Sequence, residues 1–325
     1  MTAPDVIAQI RAKAQERPMK IVLPEGHDPR VRKAAEFVEK EKIAEVILLE
    51  KDHLDAGKVE EYTEAYFQIR QHKGISRDEA HQTMLHPVFY GAMMVRAGEA
   101  AGFVAGAATT TPDVAKAALY CLGVDRRVAT ISSCFVMTIP HCRYGEKGVF
   151  IFADCGIIPD PTTRQLAQIA LCSAELGRKV LGLLPRVAML SYSTKGSATG
   201  RFVERIREAT AMLKEQAPDL LVDGELQVDA AIVPEVAKFK YPDSPIQGNA
   251  NILVFPNLEA GNISYKLVER LTGGRALGPL LLGLLKPCSD LSRGCGWEDV
   301  VDCAAITAIR ASQDTAGQDA PDAAT

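Results

Sequence analysis

The sequence predicts an α/β fold, two doubly wound α/β/α domains with mainly parallel sheets, on three observations. Short apolar runs alternate with amphipathic segments along almost all of its 325 residues. The first of these alternations, within residues 20–49, has the strand–helix–strand form of a βαβ unit, which implies parallel strands with helices on their faces. The loops that follow the strands are loaded with Gly, Ser and Thr, where doubly wound proteins bind their ligands. At roughly 100–200 residues per domain, the length corresponds to about two domains.

In chain order, Lys20–Leu23 reads as a short buried strand, Pro29–Lys40 as a helix and Glu45–Leu49 as the second strand. Further strands are expected at Phe103–Ala105, Val128–Ser132, Val149–Ala153, Val187–Leu190, Asn251–Phe255 and Pro279–Leu282. The clearest helices are Thr162–Leu176, Phe202–Lys214, Ala260–Leu271 and Trp297–Ala311. A cluster of Pro, Arg, Gly, Glu and Lys at His141–Gly148 marks an expected break between domains. Gln313–Thr325 holds only small and polar residues and is expected to be a disordered tail.

Composition narrows the function. With 37 basic and 41 acidic side chains the net charge is −4, which argues against a nucleic-acid or anionic-membrane surface. The start lacks the basic segment and apolar run of a leader, and Leu277–Leu285 is about half the length of a membrane span. Eight cysteines include no C-x-x-C pair, so zinc spacing is absent and most read as small core residues. A cytoplasmic protein is expected. There is no G-x-G-x-x-G after a strand, no Walker A loop, no G-x-S-x-G elbow and no H-E-x-x-H.

Four strand-to-loop junctions carry the chemistry that remains. In Leu23-Pro-Glu-Gly-His-Asp-Pro-Arg, Gly26 allows a tight turn and Asp28 caps the helix that Pro29 opens, so capping and turn chemistry suffice. Val104-Ala-Gly-Ala-Ala-Thr-Thr-Thr sets Thr109, Thr110 and Thr111 at a helix start as a natural anion seat, with Lys116 just beyond. Met189-Leu-Ser-Tyr-Ser-Thr-Lys-Gly-Ser puts Ser193, Thr194, Lys195, Gly196 and Ser197 after a strand. Its glycine permits close approach to a phosphate, and its lysine supplies a point charge. The fourth, Asp290-Leu-Ser-Arg-Gly-Cys-Gly-Trp-Glu-Asp, brings a hydroxyl, a guanidinium and a carboxylate within eight residues at Ser292, Arg293 and Asp299. A planar guanidinium fork suits phosphate, and the set could serve acyl or phosphoryl transfer.

At these loops the chain resembles the phosphate acetyltransferase (phosphotransacetylase) family. The resemblance is carried by Ile21-Val-Leu-Pro-Glu-Gly, Val104-Ala-Gly-Ala with Thr110-Thr, Phe152-Ala-Asp-Cys with Pro159-Asp-Pro-Thr, and Val187-Ala-Met-Leu-Ser-Tyr-Ser-Thr-Lys-Gly-Ser. Asp229-Ala-Ala-Ile, Ala250-Asn-Ile-Leu-Val-Phe-Pro, Gly261-Asn-Ile and Asp290-Leu-Ser-Arg-Gly-Cys continue it in family order from about residue 18 to 311. It implies reversible transfer of an acetyl group between phosphate and coenzyme A, with acetyl phosphate, inorganic phosphate and coenzyme A as partners. It further implies a fold like that of the isocitrate and isopropylmalate dehydrogenases, with the active site in the cleft between domains. The C-terminal segment then returns to the first domain, giving 1–145 with 287–325 and 146–286. A homodimer and a functional link to acetate kinase are implied as well. Phosphate acceptors and one thiol base need no metal, so neither a metal nor a bound cofactor is expected.

Roles carry over by motif. Asp299 resembles the general base for the coenzyme A thiol, Ser292 the donor to the developing oxyanion, and Arg293 the phosphate holder. Arg70, in Phe67-Gln-Ile-Arg-Gln-His-Lys-Gly, resembles a family arginine linked to substrate binding. Thr109, Thr110, Lys116, Ser193–Ser197 and Asn262 complete the expected substrate- and coenzyme A-binding set. Lys116 stands where the family commonly has arginine, so a fork becomes a point charge. The family's route is direct attack, which leaves Cys155 and Cys295 outside the chemistry. Two rivals remain: a propionyl- or butyryl-preferring phosphotransacylase, and a non-catalytic acyl-CoA sensor.

Overall fold

The computed structural model describes residues 3–318. They divide into two compact units, a first of Gln9–Asp125 with the segment from Leu284 onward, and a second of Arg126–Gly283 with the residues up to Ala8. The chain thus changes unit at 125/126 and 283/284, so residues 126–145, expected with the first domain, group with 146–283 instead. The reason lies in pairing: the strand Ser132–Thr138 is hydrogen-bonded along its length to Val149–Ala153, so a boundary at 145 would cut through a strand pair.

In chain order, α1 (Ala3–Glu16) leads into β1 (Lys20–Leu23), α2 (Pro29–Lys40), β2 (Glu45–Leu48), α3 (Ala56–Arg70), α4 (Arg77–Met84) and α5 (Pro87–Arg96). Then come β3 (Gly102–Ala105) and α6 (Thr111–Ala117), which runs on as a π-helical turn over Ala118–Leu122. The second unit holds β4 (Ser132–Thr138), β5 (Val149–Ala153), α7 (Thr163–Leu181), β6 (Arg186–Leu190), α8 (Arg201–Gln216), β7 (Leu221–Leu226) and α9 (Val228–Ile232). It continues through α10 (Pro234–Lys240), β8 (Ile252–Val254), α11 (Leu258–Thr272) and β9 (Arg275–Leu282). The chain returns to the first unit with β10 (Cys288–Asp290) and α12 (Trp297–Gln318).

The first unit is built on the parallel strands β2-β1-β3-β10. Val22 pairs with both Ile47 and Phe103, and Ser289 with Val104, so the returning β10 completes the sheet begun near the N-terminus. Buried on both faces, such strands read as continuous apolar runs, which is why Lys20–Leu23 was legible. Helix α2 buries Val31, Ala34, Ala35 and Val38, a stripe at helical spacing that packs against α12. Helix α12 lies so close to β3 that a Cβ at Gly102 would stand 2.7 Å from Thr307 Cγ2.

The second unit orders its strands β9-β4-β5-β8-β6-β7; β4 is antiparallel to both β9 and β5, and the rest are parallel. Successive residues of β5 serve opposite faces. Phe150 and Phe152 join Phe135, Phe255 and Tyr265 of α11 in one buried cluster, whereas Ile151 lies against Gly177 of α7.

Three sequence expectations need correction. No strand runs over 128–131; β4 starts at Ser132, because Ala129 takes a left-handed backbone (φ 55°) and interrupts the extended run. Strand β7 was missed, since Asp223-Gly224 imitates a hairpin turn while both Asp223 and Glu225 are buried strand residues. Finally, α12 continues to Gln318, so residues 313–318 of the expected disordered tail are helical, and 319–325 lie outside the described residues.

Candidate active site

In the first unit, the glycine- and threonine-rich loop after β3 wraps a carboxylate of the protein itself. Glu25, 2% exposed, accepts four consecutive backbone N–H groups: Gly106 (2.8 Å) and Ala107 (2.9 Å) on Oε2, Ala108 (3.0 Å) and Thr109 (2.7 Å) on Oε1. The anion seat expected at this loop exists, but Glu25 fills its backbone donors. Two of the three threonine hydroxyls also have carboxylate partners. Thr110 donates to Asp113 (2.7 Å) and Thr111 to the fully buried Asp290 (2.5 Å). Burial pushes Asp290 up to about 7, against the pull of the Thr111 hydroxyl and the Leu291 N–H. Gly106, at φ +113°, lets the loop pass over it, since a Cβ there would lie 2.2 Å from Asp290 Oδ1.

Asp290 leads directly into the loop that carries Ser292, Arg293 and Asp299. Ser292 and Arg293 are exposed, and Asp299 is half-buried in the first turn of α12. The Ser292 hydroxyl accepts the Gly294 N–H (3.3 Å), and Asp299 Oδ2 accepts the Gly296 N–H (2.8 Å). Arg30, from the first turn of α2, reaches into this loop. It donates to the carbonyls of Arg293 (2.8 Å), Cys295 (3.0 Å) and Ala107 (2.7 Å), and forks onto Asp28 at 3.1 and 2.7 Å. That hydrogen-bonded pair holds Asp28 below the usual carboxylate range and Arg30 above its ordinary value. Burial pushes the Cys295 thiol up to about 11 although Arg30 pulls it down, so it is poorly suited to act as a thiolate.

The other candidates of the first unit have partners of their own. Lys116 is exposed and pairs with Asp113 at 3.4 Å. Arg70 ends α3 with its guanidinium 3.8 Å over the Tyr120 ring, on the π-helical turn, and its Nε is buried without a hydrogen-bond partner.

The second unit repeats the first unit's device at the loop after β6. Ser193 (2.9 Å) and the Gly196 N–H (2.9 Å) donate to Glu225, whose carboxylate also holds Arg207 at 2.9 and 3.1 Å. Lys195 donates to Asp223 (2.6 Å) and to the Gly224 carbonyl (2.7 Å) beside a cavity of about 560 Å³. Thr194 donates to Gln227 (3.3 Å), and Ser197 accepts the Thr194 N–H (2.9 Å). Asn262 donates to the Cys155 carbonyl (3.0 Å), and burial drives the Cys155 thiol well above its ordinary value. The expected grip on a ligand phosphate is thus engaged by the protein's own carboxylates.

The structure therefore brings together Ser292, Arg293 and Asp299 at one loop–helix junction, and Thr109 and Thr110 in the neighbouring loop of the same unit. It adds Glu25, Arg30 and Asp290 from the first unit, and Asp223 and Glu225 from the second. Sequence reasoning passed over all five. A charged residue inside an apolar run or a glycine-flanked turn was the available signal. Among the described residues, no group of three or more His, Cys, Asp or Glu side chains is placed to hold a metal ion. Nor is any helix among them long and apolar enough to cross a membrane.

A family model described as phosphate acetyl/butaryl transferase matches residues 5–308. The chain belongs to this family. It is similar to the phosphate acetyltransferases of Thermoanaerobacterium thermosaccharolyticum, 44% identical over 94% of this chain and 99% of the relative, and of Acetivibrio thermocellus, 44% identical over 94% and 98%. Its structure resembles that of a phosphotransacetylase from Streptococcus pyogenes with a TM-score of 0.88 at 37% identity, covering 96% of this chain and 100% of that one. Family membership makes the protein an acyltransferase.

Proposed function

We propose that this chain is a phosphate acetyltransferase that moves an acetyl group reversibly between acetyl phosphate and coenzyme A by direct thiolate attack in a ternary complex. The observation that carries the mechanism is the single junction presenting an exposed hydroxyl, an exposed guanidinium and a half-buried carboxylate at Ser292, Arg293 and Asp299. A free thiol has a pKa near 8.5, so only about a few per cent is thiolate at neutral pH. Asp299 takes the thiol proton as sulfur attacks the acyl carbonyl, a role worth roughly 10²–10⁴-fold. Ser292, accepting from Gly294, has its own hydrogen to donate to the oxyanion. Arg293 holds the phosphate as the carbon–oxygen bond breaks and phosphate departs. The proton on Asp299 then passes to solvent or to the phosphate.

In this reading coenzyme A is a substrate, no resident cofactor takes part, and acetyl phosphate is the metabolite shared with acetate kinase. The working form is a cytoplasmic homodimer. Arg70, Lys116, Asn262 and the exposed parts of the Thr109–Thr110 and Ser193–Ser197 loops serve substrate contact. The test is thioester formation, followed by ultraviolet absorbance, from coenzyme A and acetyl, propionyl or butyryl phosphate. Turnover is expected, fastest with acetyl phosphate. Faster butyryl transfer would move the assignment to a longer-chain phosphotransacylase. No thioester, with acetyl-CoA bound tightly in calorimetry, would make the chain a sensor.

A further inference from the structure

Two of the three proposed catalytic side chains of the 291–299 loop, Ser292 and Asp299, are held by peptide units whose opposite ends rest on one arginine. The Arg293–Gly294 peptide accepts from Arg30 at its carbonyl (2.8 Å) and donates to Ser292 Oγ at its N–H (3.3 Å). The Cys295–Gly296 peptide accepts from Arg30 at its carbonyl (3.0 Å) and donates to Asp299 Oδ2 at its N–H (2.8 Å). A third unit, Ala107–Ala108, accepts from Arg30 (2.7 Å) and donates to Glu25 (3.0 Å). In a planar trans peptide the C=O and N–H point in opposite directions, so fixing a carbonyl fixes where the N–H aims. We infer that Arg30 is the positioning residue of the active site, setting the orientation of Ser292 and Asp299 through these two peptides. The inference rests on the acyl-transfer reading for the roles of the two side chains, but not for the geometry.

Arginine suits the task because three carbonyls and the Asp28 carboxylate lie around one planar group. A guanidinium has five N–H donors in a fixed fork, whereas an ammonium offers three on a single atom. It also stays protonated at any working pH, so its donors do not titrate. Each donor–acceptor contact is ordinary in length, and a charged donor at the carbonyl end strengthens the N–H at the other. Displacement of a catalytic group by about 1 Å costs on the order of 10²-fold in rate, which sets the expected effect.

The test uses the full chain as Arg30→Met and Arg30→Lys, with and without Asp299→Asn. Arg30→Met is expected to lower kcat about 10²-fold while KM for coenzyme A and acetyl phosphate stays within about two-fold, and Arg30→Lys to fall between it and the parent. Because Arg30 acts through Asp299, adding Arg30→Met to Asp299→Asn is expected to cost far less than the product of the two single losses. Hydrogen exchange at the Gly294 and Gly296 amides is expected to quicken in Arg30→Met. An unchanged kcat, a loss confined to KM, or full multiplication of the losses would overturn the inference. If Arg30→Met does not fold, Arg30→Lys decides by the same readings. If the parent enzyme forms no thioester, the acyl-transfer reading fails, and unchanged amide exchange would separately remove the positioning geometry.

Discussion

Asp299 is the residue on which the proposed chemistry turns, and its surroundings make it a clean target. Its Oδ2 closes the start of α12 by accepting the Gly296 N–H, a bond that an asparagine carbonyl can keep. Asp299→Asn is therefore expected to fold normally, bind coenzyme A in calorimetry as before, and lose about 10²-fold or more in kcat. Unchanged turnover would remove it as the base. Ser292, Arg293 and Asp299 were legible in the sequence because their chemistry is local, three polar types on a glycine-bounded loop. Glu25 and Arg30 were not, because the Gly26 turn and the Asp28 cap already explained that stretch. Their partners lie far along the chain, at 106–109 and 293–295.

Among the elements, the two donor-rich loops show why residue types alone leave a binding site ambiguous. Hydroxyls, glycines and a lysine after a strand signal a bound anion, and each loop does surround one: Glu25 after β3, Glu225 after β6. Nothing in the loop sequence tells a ligand phosphate from a glutamate delivered by another strand. At the second loop, burial would raise the Glu225 pKa, yet Arg207, the Gly196 N–H and Ser193 bring it down to about 2 from 4.5. A carboxylate whose folded pKa lies below its unfolded one adds stability above the unfolded value, and that stability is lost as pH falls toward the folded value. Glu225→Gln is thus expected to lower the urea midpoint at pH 7, with the gap to the parent narrowing below about pH 4.5. A gap constant with pH would mean that the charge of Glu225 contributes nothing. The same strand shows the limit of local signals. In β7 the Asp223-Gly224 pair mimics a turn, and partners distant in sequence, Lys195 on Asp223 and Arg207, Ser193 and the Gly196 N–H on Glu225, make buried acids tolerable there.

Across the whole molecule, chain order and spatial order part company. The alternation of apolar and amphipathic segments made the α/β class readable, because each strand and helix carries its own period. The unit boundary at 125/126 was not readable, because it depends on β4 pairing antiparallel with β5 and β9, a long-range choice with no local marker. The return of β10 beside β3 joins the Ser292–Asp299 loop to the unit that holds Glu25 and Arg30. Direct attack requires acyl phosphate and coenzyme A to be bound together, whereas a covalent route through a cysteine would release phosphate before coenzyme A enters. The raised thiols of Cys155 and Cys295 speak against that second route. The most direct measurement is an initial-velocity matrix with acetyl phosphate and coenzyme A varied together. Double-reciprocal lines that intersect are the expected result, and parallel lines, the mark of an acyl-enzyme exchanged between half-reactions, would contradict direct transfer.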